Sequence, residues 1–85
     1  MAYQLIYTQR ARRDLRRLDA DIKQRIRLTL EKYRDNPRLY VQKLTYPEFG
    51  SYRCRVGDYR VIFDITEEQL IVLRVGHRSE IYRGF

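Results

Sequence analysis

The chain has 85 residues, enough for a single domain spanning residues 1–85 with one core. No stretch approaches the ~20 apolar residues that cross a bilayer, and Met1-Ala2-Tyr3-Gln4 has neither the basic start nor the apolar run of a secretion signal. One cysteine, Cys54, and one histidine, His77, offer no internal disulfide and no metal-ligand cluster, so a cytoplasmic protein without membrane contact, metal or cofactor is expected.

The charge balance points to a class of partner. Eighteen Lys and Arg stand against eleven acids, a formal +7, and all but three of the cations are arginine. Guanidinium forks bind phosphate through paired hydrogen bonds and stack on bases, which ammonium groups do less well. An arginine-dominated, tyrosine-rich chain therefore suits nucleic acid. The same excess also suits solubility or an acidic protein partner.

In chain order, Tyr3-Gln4-Leu5-Ile6-Tyr7 alternates like a strand. Thr8 follows as a candidate N-cap, whose hydroxyl accepts an amide hydrogen left unpaired at a helix start. Ala11, Leu15 and Leu18 share one helical face. Asp19 is a second candidate N-cap, before a longer stripe of Ile22, Ile26, Leu30 and Tyr33 that Asp35-Asn36-Pro37 ends. A connector with room for a short strand near residues 41–44 leads to three β-rich runs, 51–56, 59–65 and 70–76. The expected fold is α+β: an N-terminal strand and a helical hairpin packed on a mainly antiparallel sheet of three to four strands, in the order βααβββ.

The turn between the first two of those runs sets a register. Gly57-Asp58, with glycine first, suits a type II′ turn, pairing Val56 with Tyr59, Arg55 with Arg60, Cys54 with Val61 and Arg53 with Ile62. Alternation then places Cys54, Val56, Tyr59, Val61 and Phe63 toward the core and Arg53, Arg55 and Arg60 on the opposite face. Like charges directly opposite each other cost stability, and an arriving phosphate offsets that cost; Asp64 or Glu80 could also neutralise the cluster. If the run from Arg74 to Arg83 continues as an extended edge, Arg78, Glu80 and Tyr82 point the same way and bring a cation, a carboxylate and a phenol. Cleavage of RNA by its own 2′-hydroxyl needs a base, charge stabilisation and a proton for the leaving oxygen. His77 alternates away from Arg78 and reads better as a hydrogen-bonding structural residue. Arg10, Arg12, Arg13, Arg16 and Arg17 crowd the first helix beside Asp14, either as a solvated face or as a contact with ribosomal RNA phosphates.

Three segments together resemble the RelE/ParE toxin superfamily: Tyr7-Thr8-Gln9-Arg10-Ala11-Arg12-Arg13-Asp14-Leu15, then Gly50 through Phe63 with its Tyr59-Arg60 pair, then Arg74-Val75-Gly76-His77-Arg78 through Arg83. The RelE branch implies ribosome-dependent, metal-independent cleavage of messenger RNA. By that resemblance Arg60 holds the scissile phosphate, Arg78 stabilises charge or protonates the leaving group, and Tyr82 serves as general base and stacking platform. Arg53 and Arg55 match two basic positions that orient RNA, with Lys43 as a further basic position. The resemblance also implies a cognate antitoxin partner and operator DNA binding by the pair. The ParE branch implies inhibition of DNA gyrase instead, with no RNA cleavage.

Overall fold

The computed structural model describes residues 3–35, 42–43 and 52–81. The elements run β1 (Gln4–Tyr7), α1 (Gln9–Arg16), α2 (Ala20–Asp35), β2 (Gln42–Lys43), β3 (Tyr52–Val56), β4 (Tyr59–Ile65) and β5 (Gln69–His77). Thr8 caps α1: its backbone is extended and its Oγ1 accepts the Ala11 N–H at 3.1 Å. The same hydroxyl donates to the Leu73 carbonyl at 3.1 Å, so the cap also fastens α1 to β5. Asp19 precedes α2, and its carbonyl accepts the first helical bond, from Lys23 N–H at 3.0 Å.

The apolar stripes lie where helical spacing put them. Ala11, Ile26 and Leu30 are buried, and Leu15, Leu18, Ile22 and Tyr33 pack around them. They cover one face of a five-stranded sheet ordered β1-β5-β4-β3-β2. Only β1 breaks the antiparallel rule: it runs parallel to β5, from Gln4 opposite Gln69 to Tyr7 opposite Val72. The expected strand near residues 41–44 is present as the two-residue β2, antiparallel to β3. A parallel neighbour requires a crossover, and the α1–α2 hairpin together with the β2–β4 strands supplies it.

The β3–β4 hairpin has the register its turn dictates, with Val56 opposite Tyr59, Arg55 opposite Arg60, Cys54 opposite Val61 and Arg53 opposite Ile62. Gly57 sits at φ +59° while Asp58 stays at negative φ, as a type II′ turn demands. Cys54, Val56, Val61 and Phe63 are buried under the helices, and Tyr59 packs against them. Between β4 and β5 the ladder slips by one residue: Phe63 faces Val72 and Ile62 faces Arg74, leaving Leu73 as an extra residue on β5.

The second face of the sheet carries a small apolar cluster of its own. Ile62 and Ile81 are buried there with Leu73 packed against them. This cluster corrects the expected extended edge through residues 74–83. The strand stops at His77, and residues 78–81 form a turn in which the Glu80 and Ile81 N–H groups both donate to the His77 carbonyl at 2.9 Å. The cause is burial. Ile81 gains an apolar site over Gly76, close enough that a Cβ on that glycine would come within 3.0 Å of the Ile81 Cδ1. Arg78 and Glu80 therefore do not alternate along one strand face. Tyr82 lies outside the described residues.

Candidate nucleic-acid interface

The sequence-derived cations gather at one end of the sheet. Arg55 and Arg60 are directly opposed across β3 and β4, next to the Gly57–Asp58 turn. Arg60 bends over that turn, its Nη1 donating to the Gly57 carbonyl at 3.0 Å and the Tyr59 carbonyl at 2.9 Å. Arg78 reaches the same turn from the end of β5. Its N–H donates to the Asp58 carbonyl at 2.8 Å, and its guanidinium lies 3.9 Å from the Asp58 carboxylate. Both groups of that last pair are mostly exposed, so the pair contributes little to stability. Arg78 remains available to an anion.

A fourth cation arrives from the helical layer, and the sequence reading missed it. The Arg25 guanidinium packs against Gly57, 3.2 Å from where a side chain on that glycine would begin. Nothing local in α2 marks Arg25 apart from its neighbours, because only the hairpin's fold brings the turn beneath it. Arg25, Arg55, Arg60 and Arg78 thus surround a turn whose own acid is Asp58. Glu80 is exposed and pairs with no described cation.

Arg53 lies two residues further along β3, opposite Ile62 on one side and Gln42 on the other. Lys43 is registered opposite Tyr52. His77 has a structural role: its Nδ1 accepts the Ser79 N–H at 3.1 Å and lies 2.8 Å from the Ser79 hydroxyl. Its ring also meets Tyr59 edge to face, centroids 5.5 Å apart. It folds the turn that carries Arg78. Cys54 is buried, and loss of solvation pushes its thiol up to about 12, so it stays protonated and inert at neutral pH.

Asp14 is the other residue that sequence alone undervalued. Its Oδ2 accepts from Arg74 Nε at 2.9 Å and from the Val75 N–H at 3.0 Å, and its Oδ1 lies 3.7 Å from Arg10. Beyond Val72, where β1 leaves the sheet, the edge of β5 would otherwise expose its amide groups. Thr8 and Asp14 satisfy them. The only signal was compositional, one acid among five arginines.

Residues 5–82 match the family of ParE toxins of type II toxin–antitoxin systems, the parDE type. The chain belongs to the RelE/ParE superfamily of toxins. Among the toxin's relatives, the mRNA interferase toxin RelE of Escherichia coli is 29% identical, with 96% of this chain and 92% of that protein aligned. Toxin RelE3 of Methanocaldococcus jannaschii is 32% identical over 86% of this chain and 88% of its own. The toxin's fold matches the Mycobacterium tuberculosis toxin–antitoxin complex RelBE2 with a TM-score of 0.81 at 27% identity, covering 92% of this chain and all of that one. The toxin is thus a type II toxin with RelE homologues, and none of its described helices is long and apolar enough to cross a membrane.

Proposed function

We propose that this toxin is a cytoplasmic endoribonuclease that cuts messenger RNA in the decoding site of the ribosome. The observation carrying the reading is the set of arginines held around one turn. Arg55 and Arg60 face each other across the hairpin, and Arg78 is hydrogen-bonded onto its tip. An arrangement that raises its own electrostatic cost is suited to a ligand whose negative charge relieves it. Relatives named as mRNA interferases support the choice of RNA.

In the proposed reaction the 2′-oxygen attacks the adjacent phosphorus as its proton is removed, and the bond to the 5′-oxygen breaks as that oxygen is protonated. Arg60 holds the scissile phosphate, and Arg78 stabilises the charge that builds on it and gives the leaving oxygen its proton. Tyr82 is the general base and stacks on a base. Arg53 and Arg55, with Lys43 from the edge strand, orient the RNA. The side chains supply base, charge and proton, so no metal or other cofactor is required. Arginine and tyrosine are both weak proton carriers near neutral pH, so substrate positioning must supply much of the rate, and the ribosome is the body that fixes the codon. A cognate antitoxin covers or distorts this face, as suits a chain similar to proteins solved as RelB–RelE complexes, and the pair binds operator DNA.

The test adds purified toxin to a cell-free translation reaction and maps messenger RNA 5′ ends. New ends inside translated codons, absent without ribosomes, are the expected result. Arg60→Ala should lower the rate by about 100-fold, the scale of removing one donor to a developing oxyanion, while a cooperative melting transition is kept. The ParE match of the family model favours a second reading, inhibition of DNA gyrase. Intact messenger RNA together with gyrase-dependent DNA breaks would establish it.

A further inference from the structure

A second cationic site lies on the other side of the β5 edge. Arg10, Arg13 and Asp14 of α1 and its C-cap Arg17 stand at i, i+3, i+4 and i+7, hence on one face of the helix. With Arg74 from β5 they line a cavity of about 270 Å³, room for a phosphate group and its water. Every lining side chain is charged, four guanidinium groups around one carboxylate.

The helix alone does not account for this arrangement. Cations in the last turn complement the helix dipole, as Arg13 does. Arg10 sits in the first turn, where a cation is unfavourable, and Asp14 at 3.7 Å compensates it. Arg74 comes from a strand sixty residues away and is largely buried, held by Asp14 as the wall of the cleft. Arg13 and Arg17 are exposed and pair with no described residue, leaving two guanidinium forks facing a cavity with no acid for them.

We propose that this cleft is a second binding site for an RNA backbone phosphate, separate from the arginines at the hairpin tip. The inference rests on the reading that the toxin acts on RNA. Its lining argues for nucleic acid over protein. Protein interfaces are built around an apolar or aromatic centre, whereas a wall made only of charged groups suits a phosphate backbone and its water. Its position argues the same way. Arg74 is two residues from Gly76, which pairs with Arg60, so the backbones of one arginine from each site are about 8 Å apart along and across the sheet. An RNA leaving the hairpin face over the β5 edge enters the cleft.

The test compares Arg13→Gln/Arg17→Gln with a control of equal charge, Arg12→Gln/Arg16→Gln, which removes exposed arginines of α1 that do not line the cleft. Neither pair holds Asp14, and melting curves check that both variants fold. Three binding arms use messenger-free ribosomes, a 2′-O-methyl oligoribonucleotide that cannot be cut, and the purified antitoxin. Cleavage is measured alongside. The expected result is roughly tenfold weaker RNA binding for the cleft variant, with a salt slope reduced by about 1, and a raised KM at unchanged kcat. Loss in the ribosome arm assigns the phosphate to ribosomal RNA, and loss in the oligonucleotide arm assigns it to the messenger. Equal weakening by the control pair, or weakening confined to the antitoxin arm, overturns the proposal. A wild-type protein that cuts no RNA defeats the catalytic reading alone, because the binding arms still judge the cleft.

Discussion

The Asp14 carboxylate joins two elements sixty residues apart in sequence, and its removal should move stability and charge in opposite senses. Asp14→Ala removes the carboxylate that the Val75 N–H and Arg74 Nε share in a largely buried place. A loss of about 2 kcal/mol is expected, below the value for a fully buried pair because some solvent reaches it. Asp14→Asn keeps an oxygen for the Val75 N–H and should cost roughly half as much by the same reasoning. Both changes strip the only acid from the cleft, so both should bind RNA more tightly while melting earlier, which urea titration and ribosome co-sedimentation together would read. Cys54 makes a prediction of the other kind. Its folded thiol ionises at about 12 against 9.0 ordinarily, so the unfolded chain loses its proton first. Stability from this group is level below pH 9 and falls between pH 9 and about 12, at roughly 1.4 kcal/mol per pH unit. In Cys54→Ala that share of the alkaline loss should be missing. The burial of Cys54 was legible from strand alternation around a two-residue turn. The use of Asp14 was not, because nothing near it in the chain says which strand will lie beside α1.

At the scale of the element, the β3–β4 hairpin and the turn after β5 separate what local chemistry can and cannot reveal. Gly57-Asp58 sets the hairpin by itself: a positive φ at the first loop residue fixes turn type, register and the facing of every side chain that follows. Gly57→Ala is strained there and also meets Arg25, so it should cost about 1 to 2 kcal/mol and disturb the cations at the tip. The segment after His77 reads as a continued strand only while its neighbours are ignored. The extra residue at Leu73 had already broken the alternation, and Ile81 then found an apolar site on a face that looked purely cationic. That site lies over Gly76 and against Ile62, a residue of another strand that no local pattern announces. Ile81→Val should keep the turn in place at a cost of about 1 kcal/mol. Gly76→Ala pushes against Ile81 and tilts the turn bearing Arg78. With Arg78 as a charge stabiliser, that change should lower kcat more than it raises KM, and Arg78→Ala added on top should have little further effect. Independent, additive losses would show that the turn's position does not govern Arg78.

For the whole molecule, a formal +7 on 85 residues links folding and function through the same charges. Arg10, Arg13, Arg17 and Arg74 around one cleft, and Arg25, Arg55, Arg60 and Arg78 around one turn, repel one another in the folded state more than in an expanded chain. Salt screens that repulsion with a Debye length of about 10 Å at 0.1 M and about 3 Å at 1 M. Sodium chloride should therefore raise the melting temperature, by a few degrees between 0.05 and 0.5 M, while weakening RNA binding over the same range. Most globular domains near neutrality show no such opposition. Anion identity sharpens the test. Chloride only screens, whereas phosphate can also occupy an arginine cluster, and a ligand bound to the native state stabilises in proportion to its occupancy. At matched ionic strength phosphate and sulfate, both excluded from protein surfaces, should raise the melting temperature above the chloride value, so only the part of that excess that depends on the cleft arginines reports a bound anion. Arg13→Gln/Arg17→Gln should erase part of the phosphate excess while also raising stability in low salt, since it relieves repulsion. If that variant melts earlier in low salt, the arginines are holding the fold together rather than straining it, and the cleft has a structural use in place of a ligand.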